Sequence, residues 1–178
     1  MKELCIDFSK RSKIAITGIS GSGKTIMLEK LALQFFDRKQ PFVFFTQEGS
    51  YSWNNKPNSP FASRVPKSSF DFCEKIVNHS SPQSLVVEVN ANNSKETICA
   101  VIKQIKEALK DGAYLLIDES QYMMFTNSEL KALIEEAIEN PSIGLAITFQ
   151  CQNKNELEIL SKMDIVLSAK YHQIKDYA

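Results

Sequence analysis

The residues with the clearest chemical meaning are Gly18-Ile19-Ser20-Gly21-Ser22-Gly23-Lys24-Thr25, which fit G-x-x-x-x-G-K-[ST] in full. An apolar run precedes them, and a helical pattern, Ile26-Met27-Leu28-Glu29-Lys30-Leu31, follows. Glycines let a backbone curl with its N–H groups pointing inward, and the N-terminus of the next helix adds partial positive charge. The segment from Gly18 through Ile26 is therefore expected to cradle the phosphates of ATP. Lys24 should reach the β- and γ-phosphate oxygens, and Thr25 should place its hydroxyl on magnesium. A plain glycine turn between strand and helix needs neither the Lys-Thr pair nor this length.

A second constellation is Tyr114-Leu115-Leu116-Ile117-Asp118-Glu119. A buried apolar strand that ends in two carboxylates is costly unless something engages the charges. Beside a phosphate-binding loop the pair divides naturally. Asp118 is expected to hold the metal with Thr25, and Glu119 to act as general base toward the attacking water. A third is Gly144-Leu145-Ala146-Ile147-Thr148-Phe149-Gln150, an apolar strand emerging into a polar Thr-x-Gln. A glutamine amide donates and accepts at once, so Gln150, ahead of Gln152, is the candidate to orient water or sense the γ-phosphate.

These residues require elements that bring them together. Runs of strand length alternate with segments of helical period, the signal for βαβ units, so the fold class expected is a three-layer α/β domain with a mostly parallel sheet flanked by helices. Core strands are expected at Lys13–Thr17, 42–46, Leu85–Val89, 113–118, 143–149 and 164–169, with a shorter one at 4–8. Helices are expected from the glycine loop to about residue 36, from an Asn93-Ser94 cap to Lys110, from Asn127 or Ser128 to the residue before Pro141, and over 155–161. The helix ending at Lys110 sets Ile98, Val101, Ile102, Ile105 and Leu109 on one face, leaving its lysines to solvent. Met123, Met124 and Phe125 read as core residues closing over the next helix. Residues 49–67 (GSYSWNNKPNSPFASRVPK) are rich in Ser, Asn and Pro and read as a long loop. The two strands between the phosphate loop and the Asp-Glu pair allow for a strand inserted between those motifs in the sheet.

The whole chain, 1–178, reads as one domain. Its 43% hydrophobic and 24% charged residues are those of an ordinary soluble protein. No apolar run is long enough to span a bilayer, and the first residues lack the pattern of a signal peptide. Cys5, Cys73, Cys99 and Cys151 are scattered without a CxxC pair, which suits a reducing cytoplasm and argues against a zinc site. His79 and His172 stand alone. Lys plus Arg equals Asp plus Glu at 21 each, so bulk charge advertises no nucleic-acid partner. DNA contact would have to come from a local patch or from several subunits around one strand.

With those motifs in view, ELCIDFSKRSKIAITGISGSGKT, LLIDESQ, AITFQ and MDIVLSAK together resemble the FtsK/HerA class of P-loop ATPases. That class includes HerA-like translocases, the Zot-like proteins of filamentous phages and viral packaging ATPases. The resemblance implies a RecA-like core with Walker A and Walker B motifs. It carries over Lys24 and Thr25 as phosphate and magnesium contacts, Asp118 as metal partner, Glu119 as base and Gln150 as sensor. It further implies a homo-oligomeric ring that moves DNA or another polymer by hydrolysing ATP; a regulatory ATPase whose nucleotide state controls a protein partner is a separate alternative. Such rings take an arginine finger from the neighbouring subunit. This chain has only Arg11, Arg38 and Arg64 to offer, with Lys162 or Lys170 as substitutes. Arg38 reads as a helix C-terminal residue. Arg64, with Lys56, Lys67, Tyr51 and Trp53, lies in the long loop, where cations and aromatics interleave as in single-strand binders. A rival class exists. Asp118-Glu119-Ser120-Gln121-Tyr122 is also similar to a run in thymidine kinases, where the glutamate takes a proton from a nucleoside hydroxyl.

Overall fold

Alternation along the strands sends successive side chains to two separate apolar cores, and that division builds the layers. The computed structural model describes residues 10–47, 67–68, 84–89, 95–150 and 154–169. Seven strands lie among them: β1 (Lys13–Thr17), β2 (Phe42–Gln47), β3 (Lys67–Ser68), β4 (Leu85–Val89), β5 (Tyr114–Ile117), β6 (Gly144–Phe149) and β7 (Ile165–Ser168). Their order across the sheet is β3-β4-β2-β5-β6-β1-β7, and every pairing is parallel. The helices are α1 (Lys24–Asp37), α2 (Lys95–Lys110), α3 (Ser120–Thr126), α4 (Ser128–Glu139) and α5 (Lys154–Ser161).

Ile14, Ile16, Phe42, Phe44, Tyr114, Leu116 and Ala146 meet α1 through Leu28, Leu31, Ala32 and Phe35. Ala15, Val43, Phe45, Leu115, Ile117, Leu145 and Ile147 meet α2 and α4 on the other face. Because both faces are covered, the central strands are apolar along their whole length. On α2 the buried positions are Ile98, Val101, Ile102, Ile105 and Leu109, the stripe expected from the sequence. None of the described helices is long and apolar enough to cross a membrane.

Local chemistry ends each helix where the sheet needs the chain back. At the end of α1, Gln40 N–H donates to Phe35 O at 2.8 Å and Lys39 N–H to Phe36 O at 3.0 Å. This is a Schellman ending with Lys39, at φ 57°, in the left-handed position that usually holds glycine. Pro41 then turns the chain into β2. Asn127 ends α3 and caps α4, its Oδ1 accepting from Glu129 N–H at 3.1 Å and Leu130 N–H at 2.9 Å. At the foot of β1, buried Lys13 donates from Nζ to Asn140 O at 2.6 Å and also to Ala137 O and Ile143 O. Burial pulls its amine down to about 8, while Asp164 pulls the other way.

Four expectations change. The strand inserted between β1 and β5 is β6, which follows both motifs in the chain; β2 and β4 lie on the far side of β5. Lys67, assigned to the long loop, belongs to β3, where it pairs with Val86 of β4. A separate helix, α3, fills the stretch between the acidic pair and Asn127. Met123 is buried there, but Phe125 is 90% exposed rather than in the core. Two residues advance a helix by about 200°, so once Met123 faces inward Phe125 faces out. Residues 4–8, the Asn93-Ser94 cap, the rest of the 49–67 loop, Gln152, Lys170, His79 and His172 lie outside the described residues.

Candidate active site

The carboxyl ends of β1, β6 and β5 lie side by side, and each delivers one motif to the same edge of the sheet. From β1 the loop 18–23 climbs into α1. Its helix starts at Gly23, φ 88°, a left-handed conformation that a side chain would strain. The first turn has no side-chain cap and no acidic residue, which leaves its N–H groups and their partial positive charge to an anion. At Gly18 a Cβ would approach Ser22 Oγ to 2.3 Å and the backbone oxygen of Ala169 to 2.9 Å, so the loop closes this tightly only with glycine there. Ser22 Oγ is buried with no hydrogen-bond partner among the described residues. Lys24 is buried, and its Nζ donates to Ile19 O at 3.0 Å, folding back over the loop. Ile19 stands exposed at the loop tip, and Ile26 is exposed on the first turn of α1.

From β5 come the two carboxylates. Thr25 Oγ1 donates to Asp118 Oδ2 at 2.8 Å, joining the loop to the acidic strand. Thr148 Oγ1, from β6, donates to Asp118 Oδ1. Asp118 is 0% exposed, and burial pushes its carboxyl above the usual range, the two hydroxyls pulling it back and the Glu119 charge pushing it further. Glu119 adopts φ 47°, ψ 46°, the left-handed region, which costs a non-glycine residue roughly 1–2 kcal/mol. Its N–H donates to Thr148 Oγ1 at 2.8 Å, which holds the strained turn. That turn breaks the strand alternation and starts α3, so the Glu119 side chain leaves the sheet while Asp118 stays in it.

The residues present fit a magnesium ion. Thr25 gives its proton to Asp118, so its oxygen lone pairs remain free for a hard cation, with negative charge one bond behind. On β2, beside Asp118, the Thr46 hydroxyl is also buried, with no hydrogen-bond partner among the described residues, which suits a site that expects ordered water.

Gln150 follows β6 directly, and its main chain is held by Gln121. Gln150 N–H donates to Gln121 Oε1 at 2.8 Å, and Gln121 Nε2 donates to Gln150 O at 2.7 Å. Ser120 Oγ donates to Thr148 O at 2.8 Å. The sequence expectation thus has Gly18 to Ile26, Asp118, Glu119 and Gln150 gathered on one edge. Thr148, Ser120 and Gln121 were not expected to hold them. The signal available was their polarity at the end of otherwise apolar strands. Both described arginines are at the other edge: Arg11 lies over the Tyr114 ring, 5.5 Å from its centroid, and Arg38 closes α1. Lys162 is also there, bonded to Glu139 at 2.6 Å. Arg64 lies outside the described residues.

A parallel sheet with β6 between β5 and β1, a glycine loop opening α1 and an acidic pair ending β5 define the P-loop NTPase fold. No protein-family model matches the chain. No curated protein matches its sequence. Among solved structures it is similar to the genome packaging NTPase B204 of Sulfolobus turreted icosahedral virus 2 in complex with sulfate. That likeness has a TM-score of 0.62 and 16% identity over 92% of this chain and 76% of that one. The same NTPase in complex with ATP-gammaS gives a TM-score of 0.58 at 14% identity, over 93% and 78% of the two chains. B204, the DNA-packaging ATPase from Sulfolobus turreted icosahedral virus, gives 0.59 at 13% identity, over 94% and 79%. At such identities the likeness speaks for the fold.

Proposed function

We propose that this chain is an ATP-hydrolysing motor of the FtsK/HerA type that acts on DNA, in translocation or packaging, as a homo-oligomeric ring in the cytoplasm. The observation that carries the hydrolytic part is the junction of Thr25, Asp118 and Thr148, with Glu119 turned out of the strand beside it. Backbone N–H groups of 18–26 and the Lys24 ammonium bind the β- and γ-phosphates. Thr25 and Asp118 hold magnesium, which when bound neutralises charge on the phosphate oxygens. Glu119 takes a proton from water as the water oxygen bonds to the γ-phosphorus. The bond from that phosphorus to the β,γ-bridging oxygen breaks, and ADP leaves with the electron pair. Gln150 lies one strand from Glu119 and orients that water or reads the γ-phosphate.

The DNA part draws support from the similar packaging NTPases and from what the site lacks. Among the described residues no arginine stands beside the phosphate loop, so a cation from a second copy would complete it. The reading is tested by measuring ATPase rate and oligomeric state together, with and without an ATP analogue and DNA. Assembly with nucleotide, and turnover that rises with DNA and falls steeply with salt, are expected. Removing Arg64 and Lys56 together should lower DNA-stimulated turnover more than basal turnover. A stable monomer whose rate per molecule ignores both protein concentration and DNA would refute the motor. A rise with deoxynucleosides instead would point to a kinase.

A further inference from the structure

Four bonds run from the residues after Asp118 to residues 148–150, and only some of them touch atoms of the nucleotide machinery. Thr148 serves Asp118 and Glu119, and Ser120 ties down the Thr148 carbonyl. Gln121 is different, because both of its amide atoms are used on the main chain of one residue, Gln150. At position 150 the chain has left β6, which ends at Phe149. The primary amide of Gln121 supplies one acceptor to Gln150 N–H at 2.8 Å and one donor to Gln150 O at 2.7 Å. That is the pattern a neighbouring strand would supply.

We infer that Gln121 is a positioning residue for the nucleotide sensor: it carries main-chain hydrogen bonding one residue past the end of β6 and so fixes the backbone from which the Gln150 side chain projects. The inference rests on the sensor role of Gln150. Two contacts on the main chain of one residue set direction as well as distance, which a single hydrogen bond does not. A side chain carried just past a strand end moves with that end. A misplacement of 1 Å at a reacting centre can cost on the order of a hundredfold in rate. Gln121 lies on α3, the helix that begins at Glu119. One short segment therefore carries the general base and the clamp on the sensor, and the two are placed relative to each other by the same turn.

The experiment is a double-mutant cycle on the full chain, with kcat, ATP affinity and thermal midpoint measured for each protein. The proteins are Gln121→Ala, Gln150→Ala, the double variant, and Gln121→Glu, which keeps size and the acceptor but loses the donor. Gln121→Ala is expected to lower kcat by about tenfold or more while ATP affinity stays within about twofold, the split that marks lost transition-state positioning. Gln121→Glu should be at least as slow, since its carboxylate faces the Gln150 carbonyl oxygen. The double variant should be no slower than Gln150→Ala, because a clamp on a missing amide has nothing left to position. Rate losses that multiply in the double variant, or undiminished kcat in Gln121→Ala beside a slow Gln150→Ala, would overturn the inference and leave the sensor standing. Full turnover by Gln150→Ala would remove the sensor itself. A thermal midpoint that falls in Gln121→Ala with kcat unchanged below it would make the clamp structural only.

Discussion

Replacing Thr148 with valine keeps shape and volume and removes one hydroxyl that does two tasks. The hydroxyl accepts from Glu119 N–H at 2.8 Å and donates to Asp118 Oδ1. Without it the Glu119 N–H is left in a partly buried turn with no acceptor, a loss of about 1–3 kcal/mol. The bond to the ionised Asp118 is charge-assisted, and its loss adds about 1.5–3 kcal/mol. Thr148→Val should therefore lower stability by roughly 3–5 kcal/mol, a large fraction of a typical domain's total. Thr148→Ser keeps the hydroxyl and loses a methyl group in a fully buried site, a change of about 1 kcal/mol. Urea denaturation of the three proteins without nucleotide reads the difference, and equal slopes would show that the unfolded states match. A second readout follows from Asp118. Removing a donor to the charged form raises its pKa further, so protons compete better with magnesium. In the valine variant the magnesium needed for half-maximal ATPase should rise, and rise more as pH falls. Equal stability of the valine and serine variants would refute the argument, because packing alone would then account for Thr148.

Lys24→Ala should lower turnover by about 10²–10³ and weaken ATP binding, and near-normal hydrolysis would remove the phosphate-loop assignment. Glu119→Gln should still bind ATP and magnesium but hydrolyse slowly, whereas Asp118→Asn should raise the magnesium requirement; the same magnesium defect in both would mean the roles are wrongly divided. Because burial raises the folded pKa of Asp118, its ionised form is penalised above that pKa and the penalty disappears below the unfolded value near about 4. Asp118→Asn is thus expected to melt higher than the parent at neutral pH without nucleotide, with the gap closing in acid. Lys39→Gly should stabilise the protein by about 1 kcal/mol with no change in turnover, since Lys39 holds a left-handed conformation at the end of α1; a lower melting temperature would contradict that reading of the cap.

The strands and the motifs they carry were legible because both are local. Apolar runs of four to six residues, a glycine loop and an acidic pair announce themselves along the chain. Strand order is not local. Nothing in the sequence distinguishes β6 from β2 or β4 as the neighbour of β1, since all are apolar runs covered on both faces. The side chains that hold the site were hidden for the same reason. Thr148 and Gln121 are 27 residues apart and meet the same corner only once β5 and β6 pair. The short helix α3 has two turns, too few for a period to show, and the two residues of β3 are strand only because β4 lies beside them. Lys13 looked like the polar start of a strand, whereas burial beneath α4 gives it three carbonyl partners.

Lys13 fixes more than its own charge. Its ammonium gathers the last turn of α4 and the chain entering β6, while its backbone N–H donates to Asp164 Oδ2 at 2.6 Å and its carbonyl accepts from Asp164 N–H at 2.9 Å. The strand that bears the phosphate loop is thus moored at its foot to three other parts of the chain, in addition to its pairing with β6 and β7. Sliding β1 along its neighbours would break the mooring and leave a buried ammonium without its carbonyl partners. In mechanical terms β1 is a beam pinned at its foot, so any displacement of the phosphate loop has to be taken up at the loop end.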